Sequence, residues 1–386
     1  MNKFKIAFLG LIAIFGFSKT IQAQGEAAVP FLLIAPDSRG GGIGESGAGL
    51  ADNSSAVFWN PAGIAFLTGQ EFSFTHSNWL PQFKLDLFYD YATYRNYIDD
   101  INGSVTASIT YMNYGEFVRT GPDSPDPLGT FRSFDMAATV GYATKLSTDW
   151  GFGVNLRLIH SRLSDQPTGQ EQGTGTATSV SFDLGFMWRP TSLVLPFVDY
   201  DLGNKFSIGL NLCNLGPKIS YIDRAQADPI PTQFRLGFAY RILSDEYNSL
   251  TYTLDFAKLL VRRYPDGTSD EFYKAVFTAW GDKNIGEELA DIVTSMGLEY
   301  WYGTPGDFLF ALRGGFFYED PNYGNRKFIT LGAGIRYDIY GFDFSYISTS
   351  VFKDGENHPL SDTLRFTILV GWGGLPEKHL GLPRGL

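Results

Sequence analysis

From about residue 70 to the end, the chain repeats one pattern: segments of roughly ten residues in which apolar and polar side chains alternate. No later run reaches ~18 consecutive apolar residues, so no segment after the first stretch reads as a membrane-spanning helix. The clearest segment sets Val180, Phe182, Leu184, Phe186 and Trp188 against Ser179, Ser181, Asp183 and Gly185. The same alternation runs through 104–114, 134–142, 152–158, 206–212, 234–240 and 250–256. It resumes at 296–302, 308–312, 329–337, 342–346 and 364–372. Two weaker candidates, 71–79 and 85–94, bring the total to about fourteen strands, each near the length a tilted strand needs to cross lipid. In lipid every backbone polar group must be paired, so spanning strands must close into a ring. The expected fold is all-β, a transmembrane antiparallel barrel over 71–373.

Composition agrees without deciding. Aromatics reach 16% while mean hydropathy is only −0.08, so apolar residues are spread thinly rather than gathered in blocks. A soluble aromatic-rich sandwich or propeller would share that balance. The connections separate the two. After even-numbered strands they are short: 147–149, 244–248, 303–307 and 338–341. After odd-numbered strands they are longer: 120–132, 164–178, 222–232, 260–292, 319–327 and 350–361. A membrane barrel sorts short turns to its periplasmic end and long loops to its outer end; a sandwich has no reason to. One connection, 189–204, is long for the short-turn end.

Residues 1–23 have the organisation of a signal peptide: basic Lys3 and Lys5, an apolar stretch from Ile6 to Phe17, and Ile21-Gln22-Ala23 before Gln24. The expected destination is the outer membrane, with outer-membrane lipid around the wall and 374–386 as a periplasmic tail. The formal charge of −11 excludes nucleic acid as a natural partner. Cys213 is the single cysteine, so no internal disulfide is available.

Residues 24–70 do not alternate. Pro36, Asp37, Ser38 and Arg39 lead into Gly40, Gly41, Gly42 and Gly44, and Trp59, Asn60, Pro61, Ala62 and Gly63 follow. Dense glycine suits a chain that bends sharply and packs its backbone closely, as a plug folded into the barrel would. The glycines do not follow a strand within a βαβ unit, so a dinucleotide loop is rejected.

The run Phe31 to Gly44, with Trp59-Asn60-Pro61-Ala62 after it, resembles the start of PorV-type proteins, and Asn214 to Tyr221 resembles a further stretch of that family. These are outer-membrane components of the type IX secretion system of Bacteroidetes and distant relatives of the FadL fatty-acid transporters. The resemblance implies a fourteen-stranded barrel with an N-terminal plug. It also implies two partners: a translocon barrel, and secreted client proteins carrying a C-terminal signal. At Gly63 the chain follows the FadL-like form, whereas PorV proteins more often carry Lys. A paralogue within the group, or a transporter, therefore stays open.

Catalysis is not expected. His76-Ser77 and His160-Ser161 are adjacent on strands and point to opposite faces, so neither pair can act together. His358 and His379 lie in a loop and the tail. No clustered spacing suits a metal, and no cofactor is implied. The residues of interest fall in three groups. The plug motif comprises Pro36, Asp37, Arg39, Gly40, Gly41, Asn60, Pro61 and Gly63. Lumen-parity charges include Arg157, Asp183, Arg235, Asp255, Arg313 and Arg365, with Arg241, Glu299, Arg336 and Asp343; they suit a salt-bridge network holding the plug, or a substrate path. In loop 260–292, two short amphipathic helices are expected over 270–280 and 285–292, with Phe272, Val276, Phe277 and Trp280 on one side. That face suits a partner surface, or a lid folded back over the barrel. Pro122, Pro125 and Pro127 suggest that 120–132 is a stiffened loop. Function divides between docking with client binding, FadL-like passage of hydrophobic small molecules and, at low weight, lipid hydrolysis.

Overall fold

The computed structural model describes residues 27–120, 126–164, 175–196, 200–304, 307–352 and 358–373. The signal peptide, His379 and the tail 374–386, like Pro122 and Pro125, lie outside the described residues. Among the described residues sixteen strands occur in chain order. The first eight are β1 (Gln70–Asn78), β2 (Phe88–Ile98), β3 (Gly103–Thr120), β4 (Pro127–Lys145), β5 (Trp150–Arg162), β6 (Thr176–Trp188), β7 (Val194–Leu195) and β8 (Tyr200–Asp201). The rest are β9 (Phe206–Leu215), β10 (Gln233–Ser244), β11 (Asn248–Leu259), β12 (Val293–Tyr302), β13 (Leu309–Tyr318), β14 (Lys327–Tyr337), β15 (Tyr340–Ser348) and β16 (Leu364–Trp372). β1–β6 and β9–β16 form a closed antiparallel barrel of fourteen strands, sealed by β1 against β16 from Gln70↔Trp372 to Ser77↔Arg365. The two-residue strands β7 and β8 pair with each other and account for the long connection after β6.

The barrel is apolar outside and polar inside. On β6, Ser179, Ser181 and Asp183 are buried while Val180, Phe182 and Phe186 are exposed. Ring contacts between neighbouring strands mark the edges of the apolar band. At the loop-rich end, His76, Phe88, Tyr111, Phe134 and His160 form a continuous row with centroids 5.6–6.0 Å apart. At the opposite end Trp150 meets Trp188 at 6.1 Å and Tyr94 meets Trp372 at 6.4 Å. On β5 the ten steps from Trp150 to His160, at about 3.3 Å each and tilted by about 40°, span about 25 Å, the height of a lipid-facing band.

Residues 27–69 lie inside the barrel. They enter at the loop-rich end, where the Ala28 amide donates to the Pro229 carbonyl (2.9 Å) and Val29, Phe31 and Leu32 pack with Tyr89, Tyr91, Ile219 and Ile230. They leave at the short-turn end, where Phe66 sits under Lys145 and Arg189. Between these points the backbone rests on glycines of the wall. Three cross-strand pairs, Gly153↔Gly185, Gly209↔Gly237 and Gly297↔Gly315, lie directly opposite each other. A Cβ on the first pair would overlap Pro61 and Asn60, on the second Ala48 and Gly49, and on the third Ile43 and Gly44. Wall and inner chain therefore meet backbone to backbone.

Two expectations are corrected here. The stretch 120–132, expected as a stiffened loop, is not all loop: β3 runs to Thr120 and β4 starts at Pro127, while 121–125 lie outside the described residues. Proline is tolerated because it stands at the first residue of a strand, where its missing N–H costs no ladder bond. Loop 260–292 holds helices Phe272–Thr278 and Ile285–Ala290, but it does not cap the mouth. It lies against the outer wall, as described below.

Gly209→Val and Gly315→Val should each push the inner chain off the wall. The expected loss is about 1–3 kcal/mol or more for an overpacked contact with no room to relax. The check is the temperature at which the folded barrel converts to the unfolded band on a gel, which should fall for both. Leu331→Val on the lipid face should leave it unchanged.

Candidate functional site

Inside, the first feature is the nest around Trp59. Pro36 is buried and leads the chain in extended conformation into Asp37, the N-cap of helix Ser38–Gly42. The Gly40 amide donates to Asp37 Oδ2 (2.9 Å) and the Trp59 indole donates to Oδ1 (2.7 Å). The indole slots between Gly40 and Gly47, where any Cβ would overlap the ring, and the Arg235 guanidinium covers its face at 4.9 Å. Asn60 caps the following 3-10 turn: its Oδ1 accepts from the Ala62 amide (3.1 Å), its Nδ2 donates to the Phe186 carbonyl of β6 (3.0 Å), and Pro61 opens the turn. Gly63 packs on the Ala51 carbonyl and Gly41 on Arg365 and Ser345 of the wall.

The second feature is a run of alternating charges that ties this chain to the barrel. Asp52 accepts from Arg39 (2.5 Å), and Arg39 donates twice to Glu299 of β12 (2.6 and 2.7 Å). Glu299 also accepts from Arg313 of β13 (2.7 Å), which reaches Asp343 of β15 (2.8 Å), which accepts in turn from Arg336 of β14 (2.6 Å). Three carboxylates alternate with three guanidiniums, and all six are buried. Bidentate pairing of this kind is what allows such charges to be taken out of water.

The remaining lumen charges form separate clusters. Arg157 pairs with Asp183 through both nitrogens (3.0 and 2.7 Å) and also donates to Asn214. Asn155 joins Asp183 to the Val57 carbonyl of the inner chain. Asp255 Oδ2 accepts the Gly47 and Ala48 amides (2.9 and 2.8 Å), and Arg365 meets Glu45 at 3.2 Å. Asp52 and Glu45 carry no strand parity, so the sequence offered no reason to pair them with the wall. Cys213 is buried on the inner face beside the Gln233 carbonyl. One cavity bordered by Asp37, Arg39 and Trp59 and another bordered by Leu32, Phe58 and Tyr91 each hold about 10 Å³, room for about one water.

Outside, loop 260–292 forms a wing on the wall. Phe272 packs edge-on against Phe182 of β6 (6.1 Å) and Trp280 against Phe234 of β10 (5.4 Å); both partners lie on the lipid face. Lys258 has that same outward parity on β11, yet it is only 2% exposed. It is covered by Trp280 and paired with Asp291 (2.6 Å) and Glu288 (2.9 Å) of the wing. Phe272 and Trp280 therefore turn towards the barrel, with Ala275 and Ala279 buried between them, while Val276 is half-buried. Phe277 does not join them, and this corrects the expected single face: one residue on from Val276, about 100° around the helix, it is 79% exposed. Tyr273, Ile285 and Leu289 are exposed with it.

Glu299→Ala should strand Arg39 and Arg313 together in the interior, costing about 3–5 kcal/mol as for any broken buried pair. Glu299→Gln should cost less, since it keeps the shape and one acceptor. Thermal unfolding in detergent would rank the parent above Gln and Gln above Ala; equal values would show that Arg39 is not held through this residue.

No curated protein sequence matches the chain. Among solved structures it is similar to a deletion mutant of the TodX monoaromatic hydrocarbon channel, at 11% identity and TM-score 0.50, with 88% of this chain and 98% of that one covered. It is also similar to the Ralstonia pickettii toluene transporter TbuX (12% identity, TM-score 0.46, covering 89% and 98%). A Pseudomonas aeruginosa FadL homologue follows (11% identity, TM-score 0.46, covering 87% and 97%). At 11% identity the likeness to the TodX mutant speaks for the barrel fold alone. The family described as type IX secretion system protein PorV matches residues 18–266, well over half the chain. The protein is thus a non-enzymatic outer-membrane β-barrel, and it belongs to the PorV family of the type IX secretion system.

Proposed function

We propose that the protein is exported by its N-terminal signal peptide and works as a docking component of the secretion system. It holds secreted client proteins that bear a C-terminal signal and passes them from the translocon barrel to the cell surface. Residues 27–69 act as a permanent plug. The observation that carries this reading is the contrast between inside and outside. The lumen is occupied by chain bound through paired charges and backbone contacts, while the wing leaves Tyr273, Phe277, Ile285 and Leu289 exposed at the barrel's flank. An exposed apolar patch beside the wall suits another membrane-embedded protein more than a soluble ligand. The wing's inner side, through Phe272 and Trp280, then serves to brace it. Outer-membrane lipid surrounds the rest of the wall; no cofactor, metal or nucleic acid enters this scheme.

The second reading, passage of hydrophobic small molecules, draws on the apolar outer half of the lumen, where Val29, Phe31, Leu32, Tyr89 and Tyr91 gather. The cavity beside that cluster would have to grow many-fold to admit such a molecule.

Tagged protein recovered in mild detergent from its own outer membrane should bring the translocon barrel with it. Tyr273→Asp with Phe277→Asp should lower that recovery at least about tenfold, as loss of an apolar anchor does, with the barrel still folded. Recovery of the barrel alone with an apolar ligand bound would favour the transporter.

A further inference from the structure

The barrel continues past its own rim at one place. β2 pairs with β3 only from Gly103 to Asn113, and β5 pairs with β4 only from Phe134 to Lys145. Beyond those points residues 116–120 and 127–132 pair only with each other, from Glu116↔Arg132 to Thr120↔Pro127. Phe134, where β4 loses β5, belongs to the aromatic row that marks the outer edge of the apolar band. The ribbon therefore stands clear of the membrane, and its five or so residues per strand reach about 15–20 Å outward. A register shift between Asn113 and Glu116, with Gly115 in the left-handed region (φ 84), sets the angle at which it leaves the wall.

Such a ribbon is costly on its own, since an isolated two-stranded hairpin is marginal in water. Both of its edges carry unpaired backbone groups; among the described residues, no other strand reaches them. Its side chains are those of a surface meant to be covered. Phe117 stacks on Phe131 at 5.7 Å, and Phe117, Val118 and Leu128 remain exposed. Natural edges are usually blunted by charged side chains, proline, a bulge, covering or short length. Here Glu116, Arg119 and Arg132 supply charge, yet Phe117, Val118 and Leu128 keep the ribbon's faces apolar and exposed.

The geometry points to this ribbon as a β-augmentation site, where an extended segment of a secreted protein adds as a third strand to the β3–β4 edge. The occupant follows from the chemistry. A row of free main-chain donors and acceptors is matched by another main chain, and Phe117 stacked with Phe131 on one face, with Val118 and Leu128 exposed beside them, gives that chain apolar side chains to pack against. This rests on the docking reading above, since it assigns the client to the ribbon and leaves the translocon to the wing.

The test uses full-length protein in its own outer membrane, with secreted proteins of the same cells as the probe. In one variant residues 115–132 are replaced by Asn-Gly, which closes the hairpin at the rim. Barrel folding and translocon recovery should match the parent, while recovery of secreted protein falls at least about tenfold. A second series places single cysteines at positions 116, 117, 118 and 119 of the intact ribbon. Crosslinks to a secreted protein should alternate with a period of two, as strand pairing demands. Secreted protein held as well by the truncated barrel as by the parent would overturn the proposal, as would equal crosslinking at all four positions. A parent that recovers neither translocon nor secreted protein would overturn the docking reading, and this proposal with it.

Discussion

A strand crossing lipid cannot leave its backbone N–H and C=O groups unpaired, because no water is there to take them. That constraint dictates everything else in this molecule. It forces β1 to find β16 across almost the whole length of the chain and fixes the inside-out arrangement of side chains. It also leaves the interior as the only place where polar side chains and a second stretch of chain can go. Once fourteen strands have closed, the ring is wide enough to need filling.

The filling is built in two different ways. Where the inner chain touches the wall, side chains are removed from both surfaces: opposed glycine pairs on the strands receive Ile43, Ala48 and Pro61 at van der Waals distance. Where a gap must be bridged, arginines bridge it. Arg39 reaches from the inner helix to Glu299, and the run continues round the wall to Arg336. Buried pairs of this sort add little net stability over apolar packing, but they punish misplacement heavily. They hold the inner chain in one position. A conduit for apolar solutes would gain nothing from a lumen so crossed by charge.

The fold was largely legible because lipid enforces a two-residue period on both faces of every strand, leaving the pattern in 180–188 and 364–372 unambiguous. The ribbon beyond Asn113 was harder. It stands in water, the period weakens, and Pro127 reads as a loop signal though it only opens a strand. The glycine density of 36–63 spoke for close packing, yet nothing in it named Trp59 as the ring that Gly40 and Gly47 receive. The charges on lumen parity were readable individually, whereas their order along the run depends on which strands are neighbours. For the wing, the single face expected of Phe272, Val276, Phe277 and Trp280 failed at Phe277, which is exposed. Lys258 was the better clue: a lysine on the lipid parity of β11 requires something to cover it, and the wing does.

The central claim is that the barrel is built shut and acts through its outside. The most direct test is the conductance of the purified, unmodified protein in planar lipid bilayers. The account predicts insertion without resolved current steps, because the inner chain fills the lumen. Reproducible steps from the unmodified barrel would contradict it and would make the interior, not the wing and ribbon, the working part of the molecule.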